Sequence, residues 1–294
     1  MTGRRLAEGI KKNVVNEVKK LNDAGYDVGL ALVLCGENLS SKQYLSATIK
    51  ACRATGITPY EYRFPENVTT NELLNTIHSL NKDERINGIL IFFPLPSKLD
   101  GRKIVNAIIP EKDIDGLGSV AIGKFAAEES TLQLYSTHED SIQPNFSGFL
   151  PCTPFGVIRL LEYFDIDLTG KHAVVIGKSL AVGKPLSLML LTKNATVSVC
   201  HKATENLSSI TKQADILCVA AGKPNLIKGE MVKEGVIVID IGINVLPDGS
   251  VAGDVEFESV SPKASFLTPV PGGVGPVTIA MLLENTVKSA KAKL

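Results

Sequence analysis

The chain reads as an α/β protein of two domains, and three observations predict it. At 294 residues it exceeds the usual size of one compact unit. Short apolar runs alternate with helical patterns from residue 28 onward, the order that builds a parallel sheet. The alternation breaks at a polar stretch and then starts again, which makes the second half a doubly wound parallel sheet of its own.

"VGLALVLCG", residues 28–36, is a short apolar run of strand length. "QYLSATIKACRATGI", residues 43–57, is an amphipathic helix on which Tyr44 and Thr48, four positions apart, share a face. "PYEYRFP" and "INGILIFFP" are further strands, with the helical "TNELLNTIHSLNKD" between them and a helix near "GRKIVNAIIP" after them. From about 128 to 145 the sequence is polar and aperiodic, a loop or insertion.

The second alternation opens with "PCTPFGVIRLLEYF", where Thr153 suits an N-cap and Pro154 the first helical position. "KHAVVIG", "ATVSVC", "ADILCVAAG" and "GVIVIDIG" are four short strands rich in β-branched residues. The final "GPVTIAMLLENTVKSAKAKL", residues 275–294, is an amphipathic helix after a glycine-rich turn; periodicity does not say what it packs against.

Hydrophobic content of 44% is ample for buried cores, and 31 basic residues balance 31 acidic ones without a long block of either sign. The expected partners are therefore small molecules and another subunit, with no nucleic acid and no membrane. Cys35, Cys52, Cys152, Cys200 and Cys218 form no C-x-x-C pair, so reduced core is expected in place of a metal site or disulfides. No signal-peptide core or membrane-length run is present. The expectation is a soluble cytoplasmic protein.

Three motifs carry chemistry. "VVIGKSLAVGKPLSLMLL" places Gly177, Ser179 and Gly183 in a strand-to-helix turn whose N–H groups suit the pyrophosphate of a dinucleotide. The spacing also fits an ordinary tight turn, since it is G-x5-G. The next strand ends "VCHKAT" without the acidic residue of an NAD site; Lys202 suits a 2′-phosphate or is a solvated lysine. "PEKDIDGLG" sets Asp113 and Asp115 where a turn, or a carboxylate at the ligand edge of a parallel sheet, is called for. "TPVPGGVGPVT" is a turn whose backbone can approach a ligand closely.

Together "GENLSSKQYLSATIKACRATGI", "PEKDIDGL", "PCTPFGV...GKSLAVGKP" and "GDVEF...TPVPGGVGPVTIAMLLENT" resemble the methylenetetrahydrofolate dehydrogenase/cyclohydrolase (FolD-like) family over nearly the whole chain. The resemblance implies two α/β domains flanking a cleft. A folate-binding domain would span 1–148, with the helix 275–294 packing back onto it, and a Rossmann domain would span 149–274. It also implies a homodimer, a tetrahydrofolate derivative as substrate and NADP as cofactor, with NAD possible. Carried over, the catalytic positions are Tyr44, Thr48, Phe92 and Asp115, with Tyr44 against the folate and Asp115 on the pterin. Pro271, Gly272, Gly273, Val274, Gly275, Pro276, Val277, Thr278 and Ile279 would form a turn lining the folate pocket. Gly177, Lys178, Ser179, Gly183, Lys202 and Ile243 would hold the cofactor.

Departures from the family pattern fall on the hydrolytic pair. Thr48 stands where the family has lysine, and Phe92 where it has glutamine. Lys50 is about 200° around the helix from position 48. Lys178 replaces an arginine, and Ala121 and Val277 also depart. A threonine hydroxyl cannot serve as a proton carrier tuned near neutrality. The expected activity is thus dehydrogenation with cyclohydrolase lost. The alternatives are a bifunctional enzyme with a replacement carrier, Lys50 or a residue of 128–145, and a non-catalytic folate- or nucleotide-binding homologue.

Overall fold

The computed structural model describes residues 1–127 and 148–293; the insertion expected at 128–145 lies outside them. The chain divides into two units, Glu8–Cys152 with Ile279–Leu294, and Thr153–Thr278 with Met1–Ala7. We call these the first and second unit. The division differs from the expected one at both ends of the chain, because residues 1–7 join the second unit and the last helix is shared at Thr278/Ile279.

The first unit takes in most of α1 (Arg4–Asp23), then β1 (Gly29–Cys35), α2 (Leu39–Thr55), β2 (Thr58–Phe64), α3 (Thr70–Lys82), β3 (Gly88–Ile91), α4 (Gly101–Val105) and α5 (Ser119–Ala127). Its sheet is parallel in the order β2-β1-β3, with Ala31 opposite both Tyr60 and Ile89. The central β1 is buried at every residue, as its unbroken apolar run requires, while the edge strand β2 alternates. Asn38 caps α2 by accepting from Ser41 N at 3.0 Å, and Gly56 ends it in the left-handed conformation (φ 82°). A capping box between Thr69 and Glu72 starts α3. One core joins Ala31, Val33, Leu73, Ile77, Ile89 and Ile104; each buried aliphatic side chain contributes about 1.5–3 kcal/mol. The helix expected near residues 101–110 is α4, and beyond it Ala107 O accepts from Asn81 Nδ2 at 2.7 Å.

The second unit runs through α6 (Cys152–Tyr163), β4 (His172–Ile176), α7 (Gly183–Thr192), β5 (Thr196–Cys200), α8 (Leu207–Thr211), β6 (Ile216–Val219), β7 (Ile237–Asp240), β8 (Asn244–Val245), β9 (Val251–Ala252), α9 (Phe257–Val260) and β10 (Phe266–Leu267). Thr153, expected as an N-cap, lies inside α6, which begins one residue earlier. The sheet is parallel in the order β10-β7-β6-β4-β5. From β4 the chain crosses to β5 on one side and returns to β6 on the other, so the carboxyl ends of β4 and β6 form the crevice where open α/β sheets bind ligands. The two-residue β10 and the β8–β9 hairpin add to the four expected strands.

The last helix, α10 (Val274–Lys291), crosses the division. Its later turns pack into the first unit, where the Ser289 hydroxyl lies 2.5 Å from Asn87 O and 2.7 Å from Glu111 O, and Lys291 pairs with Glu17. The five cysteines are buried and unpaired.

Candidate functional site

In the first unit α2, the end of β3 and the turn before α5 bring Tyr44, Phe92 and Asp115 into one neighbourhood. The Tyr44 and Phe92 rings meet edge-on, centroids 5.4 Å apart at 74°. Phe92 is only 1% exposed, because its backbone N–H extends the β3 pairing to Val33 O at 3.0 Å and its ring turns inward. Thr48 corrects the expectation that it faces the ligand with Tyr44. It is fully buried, and its hydroxyl donates to Tyr44 O at 2.8 Å, a bond within the helix that leaves no proton for chemistry. Lys50 is exposed.

The two aspartates sit in different surroundings. Asp113 is the turn residue, buried and accepting from Gly118 N at 2.7 Å and Leu117 N at 3.3 Å. Asp115 is half-buried and interacts with Tyr44 and Cys152. Burial first, then the nearby Asp113, pushes its carboxyl up to about 7 against the opposing N–H and thiol of Cys152. Burial, then the Asp115 charge, holds the Tyr44 phenol well above its ordinary range. Cys152 donates its thiol to Ile114 O at 3.2 Å, and Asn285 Nδ2 donates to Ile114 O at 2.9 Å and Cys152 Sγ at 3.3 Å. Cys152 and Asn285 were missed as site residues. The signal available was only that both lie in the quoted family segments, "PCTP" and "LLENT".

In the second unit the G-x5-G segment forms a close turn at the crevice. Gly177 has φ 116° and donates to Cys200 O at 2.8 Å; a Cβ there would strike Ala220 O, and one at Gly183 would strike Gly177 O. Ser179 Oγ accepts from Val182 N at 3.1 Å and Gly183 N at 3.4 Å, which ties the turn to the start of α7. Lys178 and Ser179 are exposed, as is Lys202 two residues beyond β5, and Ile243 is 43% exposed after β7. A glycine turn at a helix N-terminus, with the exposed Lys178 within it and the exposed Lys202 beyond the next strand, is a setting that suits phosphates.

The glycine-rich segment is shorter as a turn than expected. Pro271 to Gly273 turn, with Gly272 at φ 110° and its oxygen accepting from Gly3 N at 3.1 Å, but Gly275 to Ile279 already lie in α10. Pro271, Gly275 and Pro276 present surface; Gly272, Gly273, Val274, Val277, Thr278 and Ile279 are buried and build the bend. Among the described residues no cluster of three or more His, Cys, Asp or Glu could hold a metal ion, and no helix is long and apolar enough to cross a membrane.

The sequence matches two family profiles: "Tetrahydrofolate dehydrogenase/cyclohydrolase, catalytic domain" over residues 1–115, and "Tetrahydrofolate dehydrogenase/cyclohydrolase, NAD(P)-binding domain" over residues 151–294. It is 48% identical over 294 residues to "Bifunctional protein FolD" of Campylobacter jejuni, covering 100% of this chain and 99% of that protein. The crystal structure of the bifunctional enzyme from Campylobacter jejuni is similar with a TM-score of 0.87 and 47% identity over 100% of this chain and 98% of that one. The Trypanosoma brucei dehydrogenase-cyclohydrolase complexed with NADP cofactor and inhibitor gives a TM-score of 0.88 at 34% identity, over 100% and 97%.

Proposed function

Because the chain belongs to the tetrahydrofolate dehydrogenase/cyclohydrolase family, we propose that it oxidises 5,10-methylenetetrahydrofolate with NADP+ and hydrolyses the methenyl product as a bifunctional enzyme. The dehydrogenase is carried by Asp115 beside Tyr44. A pterin offers an amide N–H and an adjacent amino group, a donor pair that one carboxylate accepts in bidentate fashion. In the second unit Gly177, Ser179 and Gly183 hold the phosphates through backbone and hydroxyl, Lys178 adds charge, and Lys202 faces the 2′-phosphate.

When bound, NADP+ supplies the hydride acceptor. The folate nitrogens supply the electrons that leave a cation, so no side chain of this chain has to exchange a proton in that step. The work of Tyr44 and Asp115 is to fix the folate, a matter of position.

Hydrolysis asks for more, because protons must move between oxygen and nitrogen. Relatives named bifunctional at 48% identity support this second activity better than they support the loss expected from positions 48 and 92. It needs a carrier other than Thr48, and Asp115 is taken up by the pterin. Dehydrogenation alone is the second reading, favoured by one observation: the Thr48 hydroxyl is buried and bonded to Tyr44 O. An absorbance assay with methylenetetrahydrofolate and each nicotinamide cofactor tests the first step. Decay of authentic methenyltetrahydrofolate tests the second; acceleration well beyond the buffer rate supports hydrolysis, and decay at the buffer rate leaves the dehydrogenase alone. A cytoplasmic homodimer completes the proposal, with sedimentation as its check.

A further inference from the structure

Two buried carboxylates at the carboxyl edge of the second sheet have no part in the chemistry above. Asp240 ends β7 and is 4% exposed; Asp254 follows β9 and is fully buried. Asp240 accepts from Gly242 N, Asp254 N and Val255 N, all at 3.0 Å, and so fixes the backbone that carries the second carboxylate. Asp254 then accepts from Ala221 N at 2.6 Å, Gly222 N and Lys223 N at 2.9 Å, and Asn244 Nδ2 at 2.9 Å. Gly242 and Gly253 are glycines where a Cβ would run into Asp254 and Asp240, so the backbone is fitted around the pair.

The segment that Asp254 grips is the one leaving β6 at the crevice. Ala220, directly before it, donates to Ile176 O at 2.8 Å and turns its own oxygen onto Gly177 so closely that a Cβ there cannot fit. Three consecutive N–H groups on one carboxylate is a demanding arrangement. Each bond is charge-assisted, and a chain leaving a strand has no other reason to turn three successive donors the same way. The grip holds the wall opposite the phosphate turn at the distance that the Gly177 contact sets.

We propose that Asp254, itself held by Asp240, is a positioning residue for the nucleotide: it fixes residues 221–223 as the second wall of the crevice formed by the ends of β4 and β6. This rests on the reading of that crevice as the NADP site. The full chain carrying Asp254→Asn is the test, since the amide keeps the volume but turns an NH2 group toward backbone donors. NADP+ Kd by titration is expected to rise about tenfold or more, with folate KM and kcat at saturating nucleotide within about twofold. A role in stability alone would lower the melting temperature and leave that split absent. Should this variant not fold, Asn244→Ala removes one half-buried donor and is expected to raise NADP+ Kd by about two- to fivefold with folate KM unmoved. Wild-type NADP+ affinity in a folded variant overturns the positioning role alone, whereas a wild-type chain that binds no NADP+ overturns the crevice assignment and this inference with it.

Discussion

Asp115 stands at about 7 because burial outweighs the hydrogen bonds from Cys152, and two opposite pH dependences follow. The paired donors of a pterin need the ionised form, so folate KM is expected to be flat above about pH 7 and to climb toward about tenfold per pH unit below it. Stability runs the other way. A carboxyl raised above its unfolded value favours folding while protonated, so this contribution is complete below about pH 4 and lost as pH rises through about 7. A folate KM independent of pH from about 5 to 9 would remove Asp115 from the pocket. Asp115→Ala is expected to cost roughly 2–5 kcal/mol of folate binding while NADP+ titration is unchanged; normal folate affinity would make it a second turn residue beside Asp113. Position 48 behaves differently because it is closed to solvent. A lysine placed there alone brings a charge into a fully buried site. The pair Thr48→Lys with Phe92→Gln is therefore expected to raise methenyl hydrolysis beyond the sum of the two single changes, measured as decay of the methenyl compound; additive rates would show that the positions do not communicate.

Among elements, the strand-to-helix turn at the end of β4 and the residues after β5 form the nucleotide site proposed above. Lys202→Ala is expected to raise the KM for NADP+ about tenfold and to leave that for NAD+ within about twofold, since only the former carries a 2′-phosphate. Equal effects on both would return Lys202 to a solvated surface role. The strands were readable because their signals are local: apolar runs flanked by glycine for β1, β4, β6 and β7. The two-residue β8, β9 and β10 left no periodicity to read. The start of α10 was legible to within one residue, at Gly275 against Val274, although the resemblance carried the ligand-lining turn on to Ile279. The partner of α10 was invisible for another reason: amphipathicity says that a face is buried, not against what. Cys152 read as reduced core, and the buried amide beside its sulfur comes from a residue 133 positions away.

At the scale of the whole molecule each unit is assembled from two separate pieces of chain. The Met1 amino group reaches Leu267 O at 3.0 Å in the second unit, and Asn285 and Ser289 reach Ile114, Asn87 and Glu111 in the first. A chain ending at Thr278 loses the Ser289 hydroxyl that Asn87 O and Glu111 O share, worth about 0.5–1.5 kcal/mol net, besides losing the apolar face of α10. Its first unit is expected to unfold at clearly lower denaturant, read by fluorescence of Tyr44 and its neighbours; an unchanged midpoint would show that α10 adds nothing to that unit. The same arrangement bears on how the protein is made. Domains ordinarily fold in the order of their synthesis, the N-terminal one first. Here the amino-terminal piece of the second unit is already waiting when residue 278 leaves the ribosome, so the unit encoded later can close first. The unit encoded earlier has to keep Asn87, Glu111 and Ile114 without their partners until residues 285–289 have been made. Its folding thus waits for the synthesis of α10, and a nascent chain stalled before residue 279 would carry a complete second unit and an incomplete first one.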